Sequence, residues 1–354
     1  FERAVDGVLT LVDSIASPDS LVNPWSLGVS PDGMHVYAVG TTSDSIICIE
    51  RDGANAHSVV SELFNGQEDG LGNTIVDMDG PRSVRVSPDG RFVVATGGER
   101  RLRVIPTDGS PSRPLGSFDQ RPWVVAIGPN GRRVAACGTG GTRVWDLATG
   151  ETTEFDLGCL GRTFIFDSSG RLLVGDEALH ALGPASDEYT SLIDGVGSRF
   201  ALGPKETMVL SNSGSHDGAV LHDLERGVST PLAGHGAGIA GFDPSGEMVV
   251  TWADNVVFAG PTSGGTPHRL IADTDVLAAA VSPDGRFNPS GHEDGAIRLW
   301  PVPDITRPTL HDMPLDELMA VLRTHLSVVV DPGDPEVAPL RFGPFPGWET
   351  MPTW

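Results

Sequence analysis

One four-residue turn recurs along this chain at a spacing that few folds can use. The heptapeptide VSPDGRF occurs twice, at Val86–Phe92 and Val281–Phe287, and weaker relatives of its SPDG core stand before and between the copies. Aligned on that turn, seven marks fall at Ser30, Ser87, Gly128, Asp167, Gly203, Asp243 and Ser282, in VSPDG, VSPDG, IGPNG, FDSSG, LGPKE, FDPSG and VSPDG. The steps between them are 57, 41, 39, 36, 40 and 39 residues.

All steps but the first sit near the ~40-residue length of a four-stranded propeller blade. Each unit repeats one internal plan. An apolar run leads into the turn (Trp25–Val29, Val84–Val86, Val124–Ile127, Ala278–Val281), a β-rich run leaves it (His35–Val39, Phe92–Ala95, Val134–Cys137, Met248–Thr251), and a third and a more polar fourth follow. Asp-Gly occurs eleven times, and that dipeptide supplies the positive φ that tight antiparallel hairpins need. No helical pattern separates the strands, which excludes a parallel α/β arrangement. The expectation is an all-β, seven-bladed β-propeller over residues 1–303, with a small helix/strand extension at 304–354. The seventh unit lacks a fourth strand, so the lone run Val8–Ile15 is expected to close the last blade as its outer strand and remove open sheet edges. The long first step holds an insertion, about Asn65–Asp79, read as a solvated acidic loop. In the extension, Pro314–Leu326 carries apolar residues on one helical face and Ser327–Val330 reads as a strand.

With 24 Lys and Arg against 47 Asp and Glu, the net charge is −23. Such a surface repels phosphate backbones and excludes nucleic acid as a partner. The one basic spot, Arg100, Arg101 and Arg103, reads as a solvated strand face. No apolar run approaches the ~20 residues that cross a bilayer, and a soluble monomer is expected. Cys48, Cys137 and Cys159 lack CxxC spacing and read as buried thiols in a reducing, cytoplasmic compartment. The chain opens at Phe1 without Met, as a fragment or processed form would.

The segments GTRVWDLATGE (Gly141–Glu151) and GHEDGAIRLWPV (Gly291–Val302) resemble WD40 repeats, with Trp145-Asp146 as the signature dipeptide and Gly234-His235 similar to the family's Gly-His pair. The resemblance implies a structural hydrogen-bonded set: Asp294 and Trp300 with Ser290 in the seventh unit, and His235 with Thr251 and Asp254 in the sixth. Residues 1–98 are similar to YVTN or lactonase-like bacterial propeller repeats. The C-terminal run PLDELMAVLRTHLSVVVD to GPFPGWETMPTW resembles the extension closing WD-repeat regions of some bacterial Ser/Thr protein kinases. That likeness implies a regulatory or interaction module, with any kinase activity upstream of Phe1.

Chemical motifs are sparse. GxSxG, the P-loop, HExxH and CxxC do not occur, and Gly236–Gly241 matches GxGxxG but leads into a strand instead of opening a helix. Glu68, Asp69, Asn73, Asp77 and Asp79 in the insertion are oxygen donors without DxDxDG spacing. No catalytic residue, cofactor or metal is assigned. The informative set lies five residues before each mark: Trp25, Arg82, Trp123, Arg162, Ser198, Gly238 and Leu277. There the chain enters the innermost strand, so these side chains should ring the mouth of a central channel. Trp25, Arg82, Trp123 and Arg162 form an aromatic and cationic sector, the residue types enriched at binding hot spots. The expected function is non-catalytic binding of a protein or peptide at this rim. The alternative is a lactonase-like hydrolase with a divalent metal in the channel.

Overall fold

The computed structural model describes residues 21–52, 57–68, 74–98, 100–118, 121–138, 140–157, 163–183, 188–213 and 218–306, with the short segments 2–3, 9–10, 309, 313–316, 328–330 and 340–342. The fold is an all-β, seven-bladed β-propeller. Six blades are four-stranded antiparallel sheets in sequential order and the seventh has three described strands, Val276–Ala279, Phe287–His292 and Ile297–Pro301. By internal contacts the chain divides into one unit of residues 12–200 and another of residues 1–11 with 201–354.

Every mark is a hairpin turn between the first two strands of a blade, and one geometry serves all seven. The fourth residue donates its N–H to the carbonyl of the first, as in Gly33 to Ser30 at 2.9 Å and Gly90 to Ser87 at 2.8 Å. That fourth residue has positive φ, 71° at Gly33 and 72° at Gly90, which glycine adopts without steric cost. In five of the seven turns a hydroxyl also binds a carboxylate two residues away. Ser30 donates to Asp32, Ser87 to Asp89 and Ser282 to Asp284. In FDSSG and FDPSG the two residue types are exchanged, and Ser169 donates to Asp167 and Ser245 to Asp243. The bond survives because it needs one donor and one acceptor at that spacing, in either order. The hydrogen-bonded Asp32, Asp89 and Asp284 carboxyls are held below the usual carboxylate range, first by the neighbouring serine hydroxyl. IGPNG and LGPKE lack the pair, Gly128 and Gly203 standing where the hydroxyl or carboxylate would be, and LGPKE places Glu206 at φ 59°.

The turns also seat consecutive blades against each other. Gly90 lies beside Pro31, Gly246 beside Pro204, and a Cβ on Gly285 would approach Pro244 Cδ to 3.0 Å. Between blades the cores are aliphatic. Val94, Leu102 and Leu115 of the second blade meet Val125, Val134 and Trp145 of the third, and Leu210 and Leu221 of the fifth meet Val249 of the sixth.

Within residues 12–200 the first strands of the first four blades are neighbours, and side-chain hydroxyls join them. The N–H of Val84 points to Ser26 Oγ at 3.4 Å, that of Val125 donates to Ser83 Oγ at 3.2 Å, and that of Phe200 donates to Thr163 Oγ1 at 3.3 Å. Ser26, Ser83 and Thr163 each stand four residues before their mark, and each acceptor serves a residue three before the next mark. The spacing that defines the repeat therefore also satisfies strand N–H groups that have no ladder partner.

Three sequence expectations change. The insertion is not a solvated loop: Ile75 and Met78 are fully buried in the core of the first two blades with Val39 and Val84, a burial worth about 1.5–3 kcal/mol per side chain. Arg103 is not a solvated residue either. Its side chain is 4% exposed and pairs at 2.7 Å with Asp77, 1% exposed, while its Nη1 donates to Ser112 Oγ at 2.7 Å. The loop turns inward because its apolar residues cover a blade edge and its one inward acid meets a buried guanidinium. Finally, Leu9–Thr10 pairs with Glu2–Arg3 in a separate two-stranded sheet and not with the seventh blade; the rest of 8–15 lies outside the described residues. In the C-terminal extension Val328–Val330 is a strand, paired with Leu340–Phe342, and most of the expected helix 314–326 lies outside the described residues. No helix among the described residues is long and apolar enough to cross a membrane.

Glu206→Gly is expected to raise the urea midpoint, by a gain of about 1 kcal/mol, because the left-handed conformation costs an L side chain roughly that amount. Gly90→Ala should lower it. Asp77→Ala, which strands the buried Arg103, should cost about 3–5 kcal/mol in the same assay.

Candidate functional site

Three of the four rim residues converge. Trp25, Arg82 and Trp123 line one cavity of about 380 Å³ together with Ser26, Ser83, Arg85 and Val124. The volume lies within the ~300–1,000 Å³ of small ligand sites. Arg162 lies outside the described residues.

Local backbone explains why the tryptophans face the cavity. Pro24 pairs with Gly40 and Ser26 with Val39, so Trp25 is the extra, unpaired residue of a β-bulge. Pro122 pairs with Gly138 and Val124 with Cys137, which leaves Trp123 in the same state. Leu277 of the seventh blade is likewise skipped between Val276 and Ala278. A bulge re-aims its side chain and ends regular pairing. The proline before each indole suits this corner, since it needs no N–H partner. Trp25 is 51% exposed and Trp123 36%, unusually open for the largest apolar side chain.

The cationic part has two residues, one of which the repeat alignment missed. The guanidinium of Arg82 stacks 5.5 Å over the Trp25 ring, and its buried Nε has no hydrogen-bond partner. Arg85 donates from Nη1 to the Val84 carbonyl at 2.8 Å and lies 3.5 Å from Ser26 Oγ. Its side chain is accessible to solvent yet largely surrounded by the cavity wall, and that desolvation lowers its pKa from the ordinary arginine value. Arginine remains charged at neutral pH regardless. Among the described residues neither guanidinium has a carboxylate partner, whereas Arg121, Arg132 and Arg143 each have one. Arg85 could have been found by its place: two residues before the mark, where the other units carry Gly28, Ala126, Ile165, Ala201, Gly241 and Ala280.

The residues assigned to the WD40-like set are structural, with altered partners. Trp145 is buried with Phe118 edge-on at 5.4 Å. Asp146 accepts the N–H groups of Ala148 and Thr149 and pairs with Arg132 at 2.7 Å. In the seventh blade Trp300 Nε1 donates to Ser290 Oγ at 2.7 Å, and Ser290 lies 2.7 Å from His292 Nε2. His292 Nδ1 faces the Thr274 carbonyl at 3.2 Å, so the network assigns the ring proton to Nδ1 and makes Ser290 the donor to Nε2. Asp294 stands outside this relay and pairs with Arg298, whose guanidinium holds its carboxyl far below the usual range. His235 Nδ1 meets Thr251 Oγ1 at 3.0 Å, while Asp254 occupies a turn at φ 48°. A further buried imidazole, unmarked by any motif, links Ser211 and Ser229 through His222 at 2.8 Å on each side.

Cys48 is free and buried, but Cys137 is disulfide-bonded, with a partner outside the described residues. The reading of three buried thiols is corrected, and with it the cysteine argument for a reducing compartment. Spacing along the chain carries no information about which strands bring sulfurs together. Among the described residues no group of three or more His, Cys, Asp or Glu could hold a metal ion.

No family model and no curated protein sequence matches the chain. Among solved structures it is similar to a hydrazine synthase chain of Kuenenia stuttgartiensis, at 15% identity and a TM-score of 0.56 over 83% of this chain and 99% of that one. In all, 1680 solved chains match, so the likeness shows the β-propeller architecture and nothing narrower.

Burial pushes the His235 pKa from 6.5 to about 4. The unfolded chain therefore binds a proton near pH 6.5 that the folded chain refuses until about pH 4, and stability falls as pH drops through that window. His235→Gln should flatten this part of the pH–stability profile, by up to about 3 kcal/mol across the window, in urea titrations against the wild type.

Proposed function

We propose that this chain is a recognition module that binds a protein or peptide partner at the cavity bounded by Trp25, Arg82 and Trp123. One observation carries the reading: two re-aimed, exposed indoles and two guanidinium groups, without carboxylate partners among the described residues, meet in one cavity. Trp and Arg dominate binding hot spots because they combine large contact area with directional donors. The seven described lining residues include no carboxylate and no imidazole, so what they offer is grip and charge and no general acid or base. The resemblance of Gly141–Glu151 and Gly291–Val302 to WD40 repeats points in the same direction, towards an interaction module.

The test is affinity capture from the source cells with the wild-type chain and with the Arg82→Ala/Trp123→Ala double variant. The expected result is a partner retained by the wild type and lost by the variant, at an unchanged thermal midpoint. Equal capture by both would remove the site assignment.

A further inference from the structure

We propose that the cavity takes a carboxylate side chain of an extended acidic peptide, held by Arg82 and Arg85 between the two indoles. This rests on the recognition reading above and names its ligand. The first argument is charge complementarity. In a chain with 47 acidic and 24 basic side chains, acids outnumber the cations they could neutralise, yet these two neighbouring guanidinium groups face a cavity with none among its described lining residues. Arg85 uses Nη1 on the Val84 carbonyl, and Arg82 keeps a buried Nε without a partner. A buried donor without an acceptor costs about 1–3 kcal/mol, and a guanidinium fork matches a carboxylate in two parallel bonds.

The second argument is shape. Beyond Trp25, the same strand exposes Leu27 and Val29, 63% and 52% accessible. Leu27 and Val29 share one face of the regularly paired part of Pro24–Val29, and with the re-aimed Trp25 at its head the exposed run spans about 13 Å at the rise of a β-strand. A small free carboxylate would fill the arginine end and leave this strip bare, whereas an extended peptide covers both. The third argument is the field of the whole chain. At a net charge of −23, a ligand carrying one negative charge at the cavity meets less long-range repulsion than a phosphate with about two or a nucleic acid with many.

Peptides displayed on phage and selected on the full 354-residue chain would test this, with the Arg82→Ala/Trp123→Ala variant used to discard binders that ignore the rim. The expected outcome is that rim-dependent peptides share a Glu or Asp, and that replacing it with Gln or Asn weakens a synthetic copy by about tenfold or more. Arg85→Gln should erase that difference while the thermal midpoint holds. If that variant fails to fold, Arg85→Lys, which keeps the charge and loses the fork, should shrink it. Rim-dependent peptides without an acidic preference would overturn the carboxylate and leave the recognition reading standing. Acetate competing as well as the peptide would overturn the peptide, and inorganic phosphate or a phosphopeptide binding more tightly would overturn the choice of anion. An absence of rim-dependent peptides would remove both readings.

Discussion

The four-residue turn, closed in all seven blades by the N–H of its fourth residue on the carbonyl of its first and in five of them also by a hydroxyl-to-carboxylate bond, is the interaction on which the rest of this protein depends. It pins a residue of positive φ at the corner between the first and second strands, and so sets the register of every blade. Because the turns of successive blades also touch, glycine against proline, the same corner spaces one sheet from the next. The turn tolerates exchange of serine and aspartate, as in Asp167 with Ser169, because the bond depends on distance and on one donor meeting one acceptor. It tolerates the loss of glycine at Glu206 at the cost of strain.

At the other end of the first strand regularity stops. Regular pairing would leave Trp25 and Trp123 in the ladder, with side chains committed to a sheet face. The bulges release them, and the hydroxyls of Ser26 and Ser83 bind neighbouring strand N–H groups around the cavity. The result is a site whose walls belong to the repeat and whose function-bearing groups stand where the repeat fails. Eight arginines of this acidic chain pair with a described carboxylate; Arg82 and Arg85 have none among the described residues, and the two meet in one cavity.

Much of this was legible without coordinates. A 40-residue period with Asp-Gly turns specifies sheets of four short antiparallel strands, and counting the marks yields the number of blades. The alignment on those marks brought Trp25, Arg82 and Trp123 to one level, since a residue at a fixed offset from a turn occupies an equivalent corner in each blade. Arg85 escaped because a single arginine in one strand creates no pattern; its importance comes from meeting Arg82 and two indoles in one cavity. Likewise, the acidic look of the insertion hid Ile75, Met78 and Asp77, whose burial depends on the blade edge they cover.

The sequence by itself determined the architecture, because turn chemistry and strand periodicity are local and repeat seven times. Tertiary structure alone decided which charges are paired. Asp77 and Arg103 lie 26 residues apart and meet, Cys137 is joined in a disulfide that spacing could not announce, and Arg85 finds no acid among the described residues. Such partnerships depend on which blades and loops become neighbours, a non-local outcome that composition and period leave open.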